Sequence, residues 1–185
     1  LGGTVAIFGQ GPVGLMATAG ARLRGAGLII VVDKRPNRLE LAKAFGADIT
    51  LDFTAVDPDE EIMEITRGVG VDAALEAIGS QMAMDSCLQT TRPGGTIVNM
   101  GIHSDGDTID LPNDAWGRGM SDKTLRSVLC PGGKENMKRM MRLIETGRID
   151  PTKLTTHTFR FDQLEKAFGM MSKKADNIIK PLILF

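Results

Sequence analysis

Three glycines and one acid carry the chemistry most readable in this chain. Gly9, Gly11 and Gly14 stand in a G-x-G-x-x-G spacing, with Pro12 and Val13 between the last two, and Asp33 follows at the end of a later apolar run. The first glycine of such a turn permits the sharp exit from a strand. The second lets bare main chain approach a pyrophosphate, and the third lets the following helix pack closely on the sheet. The helix start adds main-chain N–H groups and a positive dipole end, both suited to phosphate. These residue types at this spacing predict a dinucleotide-binding turn.

Such a turn works only if a strand feeds it and a helix leaves it. Val5–Phe8 reads as the strand. Val13, Met16, Ala17, Gly20 and Leu23 recur at helical spacing and predict the buried face of a helix, which Gly25 and Gly27 end. Leu28–Val32 predicts a fully buried strand closed by Asp33. The pattern then repeats. A helix starts at Pro36, with Leu39, Leu41, Ala42 and Phe45 as apolar positions, and Ile49–Leu51 is a short strand. Asp57, Pro58 and Glu60 form a helix-start signature ahead of Ile62 and Ile65. Val71–Leu75 is a strand, Ser80 caps a helix carrying Met84, Cys87 and Leu88, and Pro93–Gly95 turns the chain into Thr96–Met100. Thr124–Val128 supplies one more strand.

Short apolar strands alternating with helices predict an α/β fold, a Rossmann-type doubly wound parallel sheet of about six strands. Ligand then binds past the carboxyl ends of the strands, at the turns after Phe8, Val32, Leu75 and Met100. The tail breaks the alternation. It holds a helix face of Met137, Met140, Met141 and Ile144, a strand near 154–161, a helix with Leu164, Ala167, Phe168 and Met171, and a final apolar run from Ile178. A run that apolar needs a cover.

The chain has 185 residues, enough for a sizeable core. Lys+Arg (22) and Asp+Glu (23) nearly balance, which points to neither nucleic acid nor a membrane surface as partner. The sequence shows no long apolar span and no leader pattern. Its two cysteines, Cys87 and Cys130, make neither a disulfide framework nor a zinc set, so a reducing cytoplasm is the expected location. The first residue is Leu1 rather than Met, which reads as a piece of a longer protein whose upstream part is a partner domain.

Asp33 discriminates between cofactors. A carboxylate there accepts hydrogen bonds from the adenosine ribose and repels a 2′-phosphate by about 4 kcal/mol at ~4 Å and an effective dielectric near 20. This predicts NAD over NADP. Lys34 and Arg35 work in the opposite direction, because a basic residue after the acid can hold a phosphate.

The stretch Gly9–Asp33, with Glu76–Gly79, Arg92–Thr96, Trp116–Met120 and Leu129–Gly133, resembles the zinc-dependent medium-chain alcohol dehydrogenases, secondary-alcohol type. The resemblance covers nearly the whole chain. It implies a cofactor domain over 1–148 and a segment, 149–185, that completes an absent catalytic domain. That domain carries the catalytic zinc, so zinc belongs to the full-length enzyme and none is bound by this chain. It further implies that Gly11, Pro12 and Val13 hold the pyrophosphate and that Ala77 and Ile78 flank the adenosine half. Met100, Gly101 and Ile102 wall the nicotinamide, Leu129 and Cys130 neighbour its carboxamide, and Lys180 reaches the pyrophosphate. A small alcohol or ketone is the implied substrate, and a homo-oligomer the implied assembly. Members of the secondary-alcohol type carry a small residue where Asp33 stands and prefer NADP, so Asp33 is a departure.

No residue of this chain is assigned to catalysis. His103 is more simply a solvated histidine at a strand end than a proton relay, and His157 is structural. Cys87 belongs to a helix's apolar face, and the Met137 helix stripe is packing. Two other readings stay open: a polyol or threonine dehydrogenase or zinc-free quinone reductase on the same scaffold, and a non-catalytic NAD-responsive binding module.

Overall fold

Parallel pairing starts at the first strand, β1 (Thr4–Phe8). It pairs with β2 (Leu28–Asp33) on one side and β4 (Val71–Glu76) on the other. β3 (Ile49–Asp52) extends the sheet beyond β2, and β5 (Thr91–Asn99) and β6 (Thr124–Ser127) extend it beyond β4. The order is β3-β2-β1-β4-β5-β6, all parallel. Strand order reverses between β1 and β4, so the two loops that follow them diverge and leave a crevice. This computed structural model describes residues 1–104 and 106–185.

The connecting helices are α1 (Pro12–Leu23), α2 (Pro36–Ala44), α3 (Pro58–Ile65) and α4 (Gln81–Thr90). One sheet face is closed by α3 and α4. Ala6, Phe8, Ile30, Val32, Ala74 and Ile97 there meet Ile62, Met84, Cys87 and Leu88 in one buried cluster. Ile7, Ile29 and Val31 alternate onto the other face, as a pleated strand requires, and are fully buried. α1 and α2 pack against β1, β2 and β3.

The structure corrects two local expectations. The buried face of α1 is Gly14, Leu15, Thr18 and Ala19, whereas Val13 and Leu23 are exposed. The apolar spacing misled because a polar residue holds a core position. The Thr18 hydroxyl lies 3.0 Å from both Gly14 O and Gln10 Oε1, so it is satisfied inside. Pro93–Gly95 is also not a turn before β5. It is an irregularity within that strand, which already pairs Thr91 with Val71 before the register shifts.

Residues 1–130 form one compact unit and 131–185 a second. This division places α5 (Lys134–Glu145) in the second unit, not with 1–148. The second unit also holds β7 (Thr155–Arg160), α6 (Leu164–Lys173) and β8 (Lys180–Leu184). β7 and β8 pair in parallel, and Phe159, Ala167 and Ile178 make its small core. Met137, Met140, Phe168, Leu184 and Phe185 are exposed. Among the described residues no helix is long and apolar enough to cross a membrane.

Candidate functional site

The turn after β1 is built as its glycines require. Gly9 takes a positive φ of 91° and donates its N–H to Val32 O at 2.8 Å. A Cβ on Gly14 would stand 1.8 Å from Gly9 O, so only glycine lets α1 start this close to the strand. Gly11 differs. A Cβ there would meet nothing nearer than Arg38 Nη1 at 3.8 Å, so this position opens outward. Gly11 is the N-cap of α1. No side chain caps the helix, Pro12 occupies its first turn, and that turn carries no acid. The helix start therefore presents N–H groups at Val13 and Gly14 to whatever approaches Gly11.

Asp33 ends β2 almost fully buried. Its Oδ2 accepts from Gln10 N–H at 2.7 Å, and its Oδ1 accepts from the N–H groups of Lys34 (2.8 Å) and Arg35 (3.0 Å). Arg38 Nη1 lies 3.7 Å from Oδ2. A carboxylate offers about four lone-pair sites, and main chain takes three of these. The carboxylate thus first clamps the glycine turn to the end of β2, and the ribose role expected for it is left with about one site. The Lys34 ammonium sits 5.9 Å over the Phe53 ring.

The loops after β4 and β5 close on each other. Glu76 is fully buried, and its Oε1 accepts from Ile78 N–H (2.7 Å) and Gly79 N–H (2.8 Å). Cβ atoms on Gly79 or Gly101 would each stand 2.1 Å from main chain of the opposite loop. This packing brings Ala77 and Ile78 beside Met100, Gly101 and Ile102. His103 is held here, not solvated. Its Nε2 is 2.9 Å from Asn99 Oδ1 and 3.6 Å from Glu76 Oε2, with the side chain only 14% exposed.

A cavity of about 260 Å³ adjoins the turn on the α3–α4 side. Phe8, Val32, Ile78 and Ala83 give it apolar walls, and Asp59 and Ser86 are among its polar members. Burial pushes the Asp59 carboxyl above the usual carboxylate range. The Ser86 hydroxyl opposes that shift, and the Asp57 and Asp85 charges add to it.

The sequence profile described as "Zinc-binding dehydrogenase" matches residues 12–146. The chain belongs to this family. Over 180 residues it is 44% identical to an alcohol dehydrogenase of Cupriavidus necator, which covers 97% of this chain and 49% of that protein. It is 45% identical over 185 residues to the NADP-dependent isopropanol dehydrogenase of Thermoanaerobacter brockii, covering all of this chain and 53% of that one. The solved alcohol dehydrogenase TADH from Thermus sp. ATN1 superposes with a TM-score of 0.86 at 28% identity, over 99% of this chain and 51% of that one. The chain spans about half the length of these relatives.

In this zinc-binding dehydrogenase chain, the expected site residues fall in three places. Those from Gly9 to Arg35, and from Ala77 to Ile102, gather at the carboxyl ends of β1, β2, β4 and β5. Met100 also lines a groove of about 510 Å³ with Val5, Ala17 and Leu75. Leu129 and Cys130 follow β6 and are exposed. Lys180 lies in β8 of the second unit. Cys87 is a core residue, and burial pushes its thiol well up. His157 stacks on Phe159 and pairs with Asp176 Oδ2 at 3.2 Å. The turn and its neighbouring cavity fit a dinucleotide. Among the described residues no three His, Cys, Asp or Glu side chains are grouped to hold a metal.

Gln10, Arg38, Asp59 and Glu76 escaped the sequence reading of the site. Gln10 and Glu76 are polar residues at the ends of buried strands, a signal that was visible in the sequence. Arg38 falls within α2 and Asp59 within the helix-start signature of α3, and neither position carries a site pattern in the sequence.

Proposed function

We propose that this chain is the dinucleotide-binding part of a larger alcohol dehydrogenase that passes a hydride between a nicotinamide and a small secondary alcohol or ketone. The observation that carries this reading is the outward-open Gly11 beside an uncapped helix start, with a buried Asp33 fixing the turn. The relatives' names and the family match support the choice of alcohol over other substrates.

When bound, the nicotinamide supplies hydride chemistry at its C4 carbon. The chain's own work is positioning. N–H groups of Val13 and Gly14 hold the pyrophosphate, and Lys180 adds a positive charge to it. Asp33 orients the turn and offers its remaining lone pair to the ribose, beside Lys34 and Arg35. Ala77 and Ile78 flank the adenosine. Met100, Gly101 and Ile102 wall the nicotinamide, while Leu129 and Cys130 neighbour its carboxamide. The family's zinc is held by residues outside 1–185, in the catalytic domain that the second unit completes. The outer edge of β6, unpaired among the described residues and with all its residues exposed, pairs with a second copy. A cytoplasmic location fits this assignment.

The cofactor is NAD in preference to NADP, opposite to the preference in the isopropanol dehydrogenase's name. The Asp33 carboxylate stands where a 2′-phosphate would have to approach, with Arg38 Nη1 3.7 Å from its Oδ2. Calorimetry tests this. NAD binds at least tenfold more tightly than NADP, and Asp33→Gly weakens NAD while narrowing the gap. Equal affinities in the wild-type chain overturn the cofactor assignment, and absence of any binding overturns the function.

A further inference from the structure

We propose that His103 is a positioning residue for the nicotinamide half of the site: its imidazole locks the loop 99–103 in the shape that presents Met100–Ile102 to the ring. The proposal rests on the dinucleotide reading above and adds a residue that acts on the cofactor through the main chain it holds.

The tip and the foot of this loop differ in kind. At the tip the Ile102 side chain is 86% exposed, and Ile78 on the facing loop is 52% exposed. Two large apolar side chains left open at the carboxyl ends of β4 and β5 suit a flat ring better than water. The foot is polar and enclosed. The N–H groups of Met100 and Gly101 donate to Glu76 O at 2.8 and 3.2 Å. Asn99 Nδ2 donates to Gly101 O at 3.2 Å. The same amide turns its Oδ1 to His103 Nε2, 2.9 Å away.

The fully buried Glu76 offers Nε2 a second acceptor, Oε2, at 3.6 Å. With an acceptor on each side, Nε2 carries the ring's proton. It donates to Asn99 Oδ1, while Oε2 lies beyond hydrogen-bond length and is attracted by charge. Among the described residues Oε2 has no hydrogen-bond partner. A buried carboxylate oxygen in that state is costly, and the imidazole dipole offsets part of the cost. One side chain thus ties the end of β5 to the end of β4 beneath the loop. Ile102 is too exposed to be held by its own packing, so the order of the tip derives from this tie. A wall fixed before the ring arrives does not have to be ordered on binding, and that is its contribution to affinity.

The test compares NAD with ADP-ribose, which lacks the nicotinamide, by calorimetric titration of the 185-residue chain. The wild type binds NAD about tenfold more tightly than ADP-ribose. His103→Leu fills the space without an N–H, and it brings that ratio to about two or less by weakening NAD alone. His103→Gln, whose amide can donate to Asn99 Oδ1, keeps the ratio within about twofold of the wild type. A second measurement needs no variant to fold. The chain has two histidines, so its imidazole nitrogen-15 signals are readily told apart. They show the Nε2–H tautomer at His103, and NAD moves them while ADP-ribose does not. Equal wild-type affinities for the two ligands, equal losses of both in His103→Leu, a ratio lost as deeply in His103→Gln, or His103 signals that ADP-ribose moves as far as NAD overturn the positioning role and leave the dinucleotide site standing. If the wild type binds neither ligand, the underlying site assignment fails and this inference with it.

Discussion

Two glycines three residues apart, Gly11 and Gly14, illustrate how one motif mixes structural and functional demands. Gly14 is required by the fold, because a Cβ there would collide with Gly9 O at 1.8 Å. Gly11 has open space in front of it, so the fold tolerates a methyl group there. The two substitutions separate these roles. Gly14→Ala destabilises the chain by roughly 3 kcal/mol, since overpacking against main chain cannot relax cheaply. Gly11→Ala leaves the urea midpoint nearly unchanged but weakens NAD binding tenfold or more, because the methyl group occupies the approach to the N–H groups of α1. Denaturation and calorimetry on the pair check this. Loss of stability without loss of binding in Gly11→Ala contradicts the assignment of that opening to pyrophosphate. Asp33 gives a related lesson. Its type and position were legible in the sequence, but its three main-chain donors were not, since they depend on how the Gln10 and Lys34 backbones fold back to meet it.

At the scale of elements, the order of the first strands and helices was legible because β1 to β4 are short, mostly apolar runs separated by glycine, proline or capping residues. Asp57 and Ser80 cap α3 and α4 as the sequence suggests. What was not legible is how buried polar groups are satisfied. Thr18 displaced the predicted face of α1, and the bulge in β5 was hidden behind a glycine-proline signal that usually means a turn. That bulge is tethered by Asp72, whose carboxylate accepts from Thr4 N–H at 2.7 Å and Arg92 Nε at 2.8 Å. The Thr4 N–H first, then the Arg92 side chain, hold the Asp72 carboxyl below its usual range. A folded-state value below the unfolded one means the stabilisation is fully present above the unfolded value near 3.8, and is lost as pH falls through the lowered folded value. Asp72→Asn therefore costs about 1 kcal/mol at pH 7, after allowance for a pair that is partly open to solvent. The cost vanishes in strong acid. Urea midpoints of the two proteins, measured from pH 7 down to 2, converge at the acid end. A gap independent of pH would show that packing, not charge, links β1, β4 and β5 at this point.

For the whole molecule, the question is what the second unit adds to binding. Every assigned contact except Lys180 lies within residues 1–130, a unit with its own sheet, its own buried cluster and the cavity beside the turn. Lys180 is exposed in β8, and the pyrophosphate role proposed for it would be that of a point charge screened by solvent, whose removal would cost a fraction of a buried contact. A chain ending at Cys130 consequently unfolds cooperatively and binds NAD with a loss of about three- to tenfold, and Lys180→Ala in the 185-residue chain reproduces that loss. The two measurements check one another. Equal losses make the lysine the second unit's whole contribution to the cofactor. A larger loss on truncation than on substitution assigns part of the site to other residues of 131–185, and removes the claim that the six-stranded unit suffices to cradle the dinucleotide.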